Sequence, residues 1–163
     1  MKLFGITGWK NTGKTGLTAR LLREFTARGL RVSTLKHTHH ALDLDRPGSD
    51  SDQHRQAGAC EVALVSPARV TILRELRGAP EPDPEALMAR LAPVDLVLAE
   101  GFKSAPHPKI ETHRAAAGRD LLAPGDPTIL AVASDSALAL DRPVFALDDT
   151  AGIADFILTR LEL

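Results

Sequence analysis

The chain has 163 residues, enough for one domain with one hydrophobic core. Apolar residues make up 44% of it and charged residues 25%, which excludes a fibrous or disordered protein. No apolar run approaches the ~20 residues that cross a bilayer, and the start, residues 1–6, is too short for a signal peptide. The single cysteine, Cys60, leaves no internal disulfide. We therefore expect a cytoplasmic protein without membrane contact.

Charge is divided unevenly along the chain. Residues 1–80 carry 13 lysines and arginines against 7 acidic residues, whereas residues 81–163 carry 7 against 14. The basic first half suits an anionic ligand, and phosphate is the simplest candidate. Nucleic acid is not expected as a partner, because no long basic run is present and aromatic residues are only 4% of the chain.

Strands and helices are predicted to alternate along most of the chain. A buried strand at 2–7, an amphipathic helix at 14–28 and a second strand at 31–36 form a βαβ unit, which favours a parallel sheet. The later predicted elements are a short helix at 49–57, a hairpin from strands 61–66 and 70–73, a helix from Pro84, an apolar strand at 96–99, an edge strand at 109–113, a mobile loop at 115–127, strands at 129–133 and 144–147, and a helix from Thr150.

One glycine-rich segment carries the clearest chemistry. It reads Gly8-Trp9-Lys10-Asn11-Thr12-Gly13-Lys14-Thr15, and it matches the phosphate-binding loop pattern G-x-x-x-x-G-K-[ST] in full, between a strand and a helix. Such a loop turns backbone N–H groups and a helix N-terminus toward phosphate oxygens. We expect residues 8–16, ending at Gly16, to bind a nucleoside triphosphate. Lys14 is expected to reach the β- and γ-phosphates as the catalytic cation, and the Thr15 hydroxyl to bind Mg²⁺.

A second acidic element is expected beside that magnesium ion. Ligands of parallel α/β sheets bind at the carboxyl ends of the strands. Glu100 ends the apolar run 96–99, whereas Asp95 begins it and belongs at the opposite edge. Glu100 is therefore the predicted carboxylate of the metal site.

A histidine-rich segment follows the second strand, on the same predicted edge. It contains Lys36, His37, His39 and His40, with Asp43, Asp45 and Asp50 downstream. Three interpretations stay open for the histidines: contact with nucleotide or substrate, a transition-metal site, or surface packing. A structural zinc site is disfavoured because no cysteine pair is present. The three aspartates are candidates to position a water for hydrolysis.

These features predict a P-loop NTPase-like α/β fold with three layers. The sheet is expected to be mostly parallel with helices on both faces and a β-hairpin extension, in a single nucleotide-binding domain over 1–163. The carboxylate of Asp135, which follows strand 129–133, suits the N1–H and 2-amino donors of guanine. Ser134 and Asp135 are therefore predicted to contact the base, and the alternative is that this Ser-Asp pair only forms a turn.

The order of these motifs resembles the molybdopterin-guanine dinucleotide biosynthesis adaptor proteins, the MobB family. The resemblance covers nearly the whole chain and rests on the phosphate loop and on a series of short motifs: Lys36-His37-Thr38-His39-His40, Asp43-x-Asp45-x-Pro47-Gly48, Asp50-Ser51, Ala57-Gly58-Ala59, Glu100-Gly101-Phe102-Lys103, Lys109-Ile110-Glu111 with Arg114, and Ala131-Val132-Ala133-Ser134-Asp135. Two positions depart from the pattern: Ser49 stands where a lysine is expected, and Gly16 where a second threonine is common.

The resemblance implies a homodimeric protein that binds GTP with Mg²⁺ and hydrolyses it slowly. Family members are expected to work beside the guanylyltransferase that joins GMP to molybdopterin. Lys103, Lys109 and Arg114 are expected to contact substrate or phosphate together with the Lys36–His40 motif.

Two rival functions remain open from the residues. In the first, the chain is a small-molecule kinase whose loop 115–127 closes over the transferred phosphate with Arg114 or Arg119. In the second, it is a GTPase metallochaperone that carries a metal on His37, His39 and His40, although it lacks cysteine ligands.

Overall fold

The computed structural model describes residues 1–38 and 44–163, and they form two compact units. The larger unit comprises residues 1–37 and 83–163, and the smaller one comprises 38–82. The single-domain prediction is not tested by this division. None of the helices in the described residues has the length and apolar character needed to span a membrane.

A six-stranded sheet in which every neighbouring pair is parallel forms the centre of the larger unit. Its strands lie in the order β2-β5-β1-β6-β7-β8. Their bounds are β1 Lys2–Thr7, β2 Val32–Lys36, β5 Leu96–Glu100, β6 Lys109–His113, β7 Ile129–Ser134 and β8 Val144–Ala146. β2 and β5 lie on one side of β1, and β6, β7 and β8 lie on the other, so the strand order reverses at β1. Ligands of such sheets bind at the carboxyl edge beside this reversal.

Helices α1, Lys14–Ala27, and α4, Thr150–Leu161, cover one face of the sheet. Their apolar stripes pack on the alternate strand residues that point to this face. This core contains Phe4, Ile6, Leu17, Leu21, Phe25, Leu96, Leu98, Ile110, Ile153 and Ile157, all fully buried. The short helix α3, Pro84–Met88, packs on the other face against Leu35, Val97 and Ala99. The predicted fold class, with helices on both faces of a parallel sheet, is confirmed.

The prediction that 109–113 is an edge strand is wrong, because β6 lies inside the sheet between β1 and β7. Its charged residues are buried and have internal partners. The Lys109 ammonium group donates to the carbonyl oxygens of Lys103 (3.0 Å) and Ala105 (2.6 Å) and lies 3.3 Å from the Asp126 carboxylate. The Glu111 carboxylate accepts from the backbone N–H groups of residues 122 and 123 at 2.8–3.0 Å.

The segment 115–127, predicted as the mobile loop, is bonded to β6 through residues 122, 123 and 126. It contains two 3₁₀ helices, Ala115–Ala117 and Ala123–Gly125, and Ala123 is fully buried. Glu111 and Lys109 hold the second half of this segment from beneath through residues 122, 123 and 126.

The smaller unit contains helix α2, Asp50–Gln56, and an antiparallel hairpin of β3, Glu61–Ser66, and β4, Arg69–Arg74. Val65 pairs with Val70 and Ala63 with Ile72, so these four apolar side chains share one face of the hairpin. All four residues are exposed, Val65 to 76%. The predicted hairpin is confirmed, and it presents an apolar face to its surroundings.

His107 generates a prediction about pH dependence. Its side chain is buried against Gly5, and neither ring nitrogen bonds to any described residue. Burial, together with the nearby Lys109 ammonium, lowers the pKa of His107 to about 4. Between about pH 6.5 and pH 4, the His107 imidazole is therefore protonated in the unfolded chain and neutral in the folded chain. We expect folding stability to fall across this window by up to about 3 kcal/mol through this residue.

Urea denaturation at pH 7.5 and pH 4.5 measures this effect. The free energy of unfolding should fall less from pH 7.5 to pH 4.5 in His107→Met than in the wild type. His54→Met, at an exposed histidine, should show the same fall as the wild type. The same loss in His107→Met as in the wild type would contradict the assignment.

Candidate functional site

The carboxyl ends of the parallel strands bring most of the predicted site residues to one edge of the larger unit. β1 ends at Thr7 and leads into the phosphate loop, β2 ends at Lys36 and β5 ends at Glu100. On the other side of β1, β6 leads into Arg114 and β7 ends at Ser134, followed by Asp135. Segments far apart in the sequence thus meet at the edge where α/β proteins bind ligands.

The phosphate loop is fixed from within and from beneath. Gly8 has φ of 137°, and a Cβ atom there would lie 2.5 Å from the Thr112 carbonyl oxygen, so only glycine fits. The Thr12 hydroxyl donates to the Trp9 carbonyl oxygen (2.8 Å) and also lies 2.8 Å from the hydroxyl of Thr112. These buried contacts hold the loop in a fixed curve over the end of β1.

Helix α1 begins directly after the loop with an N-terminus that no side chain caps. Its N-cap residue is Gly13 in the left-handed conformation, and its first turn contains no acidic residue. The other three α-helices of the described chain have side-chain caps, from Ser49, Asp83 and Asp149. The positive end of α1 is therefore left to attract an anion held by the loop.

Thr15, Glu100 and Lys36 form a compact polar cluster beside the loop. The Thr15 hydroxyl donates to Glu100 Oε1 at 2.7 Å, and Lys36 Nζ lies 3.2 Å from the same carboxylate oxygen. Lys36 Nζ also lies 3.5 Å from Thr15 Oγ1. The Glu100 side chain is only 9% exposed, so its charge acts in a weakly screened environment.

The Thr15 and Glu100 oxygens fit a magnesium ion. Their separation of 2.7 Å is close to the ~2.9 Å between adjacent ligands of an octahedral Mg²⁺ with metal–oxygen distances of ~2.0–2.1 Å. Both are hard oxygen donors, the type that Mg²⁺ prefers. These are the two residues that the sequence predicts for the metal.

Lys14 lies at the centre of a positively charged group. Its ammonium group donates to the Trp9 carbonyl oxygen at 2.6 Å. Burial lowers the pKa of Lys14, and the positive charges of Lys103 and Lys36 lower it further while Glu100 opposes them. Two further ammonium groups thus act on Lys14 against a single carboxylate, an arrangement that favours an additional anion.

The single tryptophan connects the loop to the segments beyond β5 and β6. Lys103 Nζ lies 4.0 Å from the centre of the Trp9 ring, and the Arg119 guanidinium carbon lies 5.7 Å from it. The indole N–H donates to the carbonyl oxygen of Asp120 at 2.8 Å. Lys103 is therefore held beside the phosphate loop by a cation–π contact that the sequence pattern did not reveal.

A cleft of about 610 Å³ opens beside the loop at the ends of β7 and β8. It is lined by Arg20, Arg114, residues 134–137 and residues 144–148. The Arg114 side chain also lies against Gly13, within 3.4 Å of where a Cβ atom would be, and its guanidinium group forms no hydrogen bond or ion pair with the described residues. Its guanidinium group therefore links the phosphate loop to the cleft. The volume suits a small organic ligand.

A family model described as molybdopterin guanine dinucleotide synthesis protein B, MobB, matches residues 3–135. The chain is also 38% identical over 165 residues to the molybdopterin-guanine dinucleotide biosynthesis adapter protein of Escherichia coli K12, with 98% of this chain and 93% of that protein covered. The chain belongs to the MobB family. The adapter protein of Haemophilus influenzae is 39% identical over 155 residues, covering 95% of this chain and 86% of that protein.

Solved structures of MobB proteins share the fold. The crystal structure of a molybdopterin-guanine biosynthesis protein B superposes with a TM-score of 0.74 at 27% identity, over 98% of this chain and 99% of that chain. Bacillus subtilis MobB superposes with a TM-score of 0.75 at 22% identity, over 99% and 98% of the two chains, and shows the fold alone.

Three of the predicted contact residues have internal roles in this MobB chain. Lys109 is 1% exposed and its ammonium group is fully engaged, so the structure gives it a role in holding the sheet instead of the predicted phosphate contact. The Ser134 hydroxyl lies 3.2 Å from both His113 Nδ1 and the Ser136 hydroxyl, which directs it into the protein. Asp135 is exposed and accepts from the Ala115 N–H through one oxygen at 2.9 Å.

The predicted residues of the smaller unit form a local network. The Asp45 carboxylate accepts from Ser51 (2.8 Å), Ser49 (3.0 Å) and Arg55 (3.3 Å), and the Ser51 hydrogen bond is the main cause of its lowered pKa. This arrangement stabilises the start of α2 and disfavours the predicted water-positioning role. Ser49, where the MobB pattern expects lysine, accepts from the Asp52 N–H as the helix cap. Asp50 is exposed at the start of the helix.

The histidine predictions are tested only in part. The His37 ring packs on Phe102, with 5.1 Å between the ring centres, at the end of β2. His39, His40 and Asp43 lie outside the described residues. Within the described ranges, no group of three or more His, Cys, Asp or Glu side chains is arranged to hold a metal ion.

Proposed function

We propose that this chain is an adapter of molybdopterin guanine dinucleotide synthesis that binds GTP with Mg²⁺ in its phosphate loop and hydrolyses it slowly. The observation that carries the proposal is the set of three lysines around the phosphate loop and the uncapped start of α1. Lys14 donates to the Trp9 carbonyl oxygen, Lys103 lies over the Trp9 ring, and Lys36 pairs with Glu100 beside Thr15. A triphosphate supplies the negative charge that this group of cations attracts, and Mg²⁺ neutralises and orients the phosphates when bound.

The chain's own residues divide the work of binding. The N–H groups of residues 8–15 surround the phosphates, and Lys14 leaves the Trp9 carbonyl oxygen to bind the β- and γ-phosphates. Thr15 and Glu100 hold the metal, and Arg114 reaches the phosphates from the cleft side. We infer that molybdopterin and the guanylyltransferase that joins GMP to it are the partners, because the relatives are named as adapters of that biosynthesis.

Lys14→Ala tests triphosphate binding directly. Loss of a charge-assisted contact to phosphate should weaken Mg²⁺-dependent GTP binding by at least about 2 kcal/mol. Isothermal titration calorimetry measures the affinity. Arg23→Ala removes an exposed cation from the same helix and should leave the affinity unchanged. Equal GTP affinity in Lys14→Ala and the wild type would remove the proposed site.

The cleft supplies the proposed guanine site. A carboxylate accepts the N1–H and 2-amino hydrogens of guanine, whereas adenine presents no such pair of donors. Asp135 stands at the cleft with one oxygen held by the Ala115 N–H and the other directed away from that bond. We therefore propose Asp135 as the residue that selects guanine.

Calorimetric titration with GTP and with ATP tests this assignment. The wild type should prefer GTP, and Asp135→Asn should reduce that preference about 10- to 100-fold, the scale of hydrogen bonds to a charged acceptor. Asp148→Asn, at a second carboxylate of the same cleft, is the matched control. A preference for ATP in the wild type would contradict the guanine site and favour a small-molecule kinase.

We also propose that two copies of the chain associate through the hairpin. One face of β3–β4 carries Ala63, Val65, Val70 and Ile72, all exposed, with the Glu61–Arg74 ion pair at the end away from the turn. The apolar part of this face is stabilised by burial against an apolar partner. A second copy presents the same surface, which is the arrangement of a two-fold interface.

Val65→Glu should shift the protein from dimer to monomer, because it places a charge at the centre of this apolar face. Size-exclusion chromatography with light scattering over a range of concentrations measures the mass. Arg69→Glu changes the charge at the exposed tip of the hairpin on the opposite face and should leave the dimer intact. A monomeric wild type, or a dimer that tolerates Val65→Glu, would rule out this interface.

A further inference from the structure

Lys36 contacts the same two oxygen atoms that fit a magnesium ion. Its ammonium nitrogen lies 3.2 Å from Glu100 Oε1 and 3.5 Å from Thr15 Oγ1. The Glu100 side chain is nearly buried, whereas the Lys36 side chain is 59% exposed. One partner of the ion pair is therefore fixed in the protein, and the other is free to move into solvent.

A divalent cation and an ammonium group cannot bind these oxygens together. Mg²⁺ requires oxygen ligands at ~2.0–2.1 Å and carries two positive charges, so a nearby ammonium group is repelled as the metal binds. Conversely, the ammonium group neutralises Glu100 when the metal is away. The uncompensated carboxylate would otherwise be costly at this depth.

We propose that Lys36 is the exchangeable counter-ion of Glu100: Mg²⁺ displaces it, and the displaced ammonium group binds the terminal phosphate of the nucleotide. The proposal rests on the proposed function for its second half and deepens it by assigning a triphosphate sensor. Lys36 ends β2, two positions across the sheet from the strand that leads into the phosphate loop. Its ammonium group lies 3.5 Å from the hydroxyl of Thr15, the residue after Lys14, so a small movement brings it to the phosphate that Lys14 binds.

Exchange makes the two cations cooperate in selecting a triphosphate. With Mg²⁺ bound at Thr15 and Glu100, the free ammonium group adds a contact that only a γ-phosphate accepts. Without Mg²⁺, the same group stays on Glu100 and contributes equally to diphosphate and triphosphate. Discrimination between GTP and GDP therefore depends on Lys36 and on the metal together.

The first test uses the metal alone. Mn²⁺, a paramagnetic substitute for Mg²⁺, is titrated into the nucleotide-free protein, and its binding is followed by water proton relaxation. Lys36→Met should tighten Mn²⁺ binding about twofold to fivefold, the scale of a partly exposed ion pair. Lys2→Met removes the same charge at the opposite end of the sheet and should change nothing. A gain in metal affinity cannot arise from misfolding, so an unchanged or weaker Mn²⁺ affinity in Lys36→Met overturns the exchange.

The second test compares GTP and GDP by calorimetry. At saturating Mg²⁺, Lys36→Met should weaken GTP binding about tenfold and leave GDP binding within about twofold, because one charge-assisted contact to the γ-phosphate is lost. In EDTA the two nucleotides should respond alike. Equal losses for GTP and GDP at saturating Mg²⁺ overturn the sensor. If the wild type binds no GTP, the proposed function is wrong. The Mn²⁺ titration of Lys36→Met and the wild type then still tests whether the metal displaces Lys36 from Glu100.

Discussion

Glu100 is the charge on which the candidate site depends. It is a nearly buried carboxylate that accepts from the Thr15 hydroxyl and pairs with the Lys36 ammonium group, while Lys14 and Lys103 act on the same region. A parallel sheet makes this possible, because β5 and β1 run side by side and bring the last residue of one strand to the loop that follows the other. The position of this carboxylate thus places the Lys36 ammonium group beside Thr15 of the phosphate loop.

The phosphate loop owes its shape to β6, the strand on the other side of β1. Thr112 supports the loop through the Thr12 hydroxyl and leaves no space for a side chain at Gly8. On its opposite face, the same strand holds the segment 121–126 through Glu111 and Lys109. A single strand therefore fixes both the phosphate loop and the segment whose Asp120 carbonyl oxygen accepts from Trp9. A substitution in β6 would therefore affect the phosphate loop both directly, through Thr112, and through the segment that contacts Trp9.

The sequence predicted the elements whose signals are local. The phosphate loop with its flanking strand and helix, the hairpin and the position of Glu100 at the end of a strand all follow from short patterns, and the structure contains each of them. The role of β6 was missed because its polar residues suggest contact with solvent. Their burial depends on acceptors and donors that come from residues 103, 105, 122, 123 and 126, and the alternation of residues within the strand itself does not show these partners.

The same limit applies to individual side chains of the site. Lys36 was predicted to contact phosphate from its position alone, and its pairing with Glu100 depends on β2 and β5 being neighbours in register. Asp45 was grouped with the catalytic candidates because carboxylates suit water and metal. Its actual environment depends on Ser49, Ser51 and Arg55, which surround it with donors. Residue type therefore predicted what each side chain can bind, while the fold determined which groups lie close enough for it to bind.

The contacts of Glu100 also bear on how fast the proposed site can hydrolyse a nucleotide. A general base must have a lone pair free to take a proton from water. The Oε1 atom of Glu100, the carboxylate beside Thr15 of the phosphate loop, already accepts from the Thr15 hydroxyl and pairs with Lys36. That oxygen is therefore already shared between a hydroxyl group and a cation. In the proposed function, Glu100 therefore holds the metal instead of activating water, and this role fits the slow hydrolysis proposed for the site.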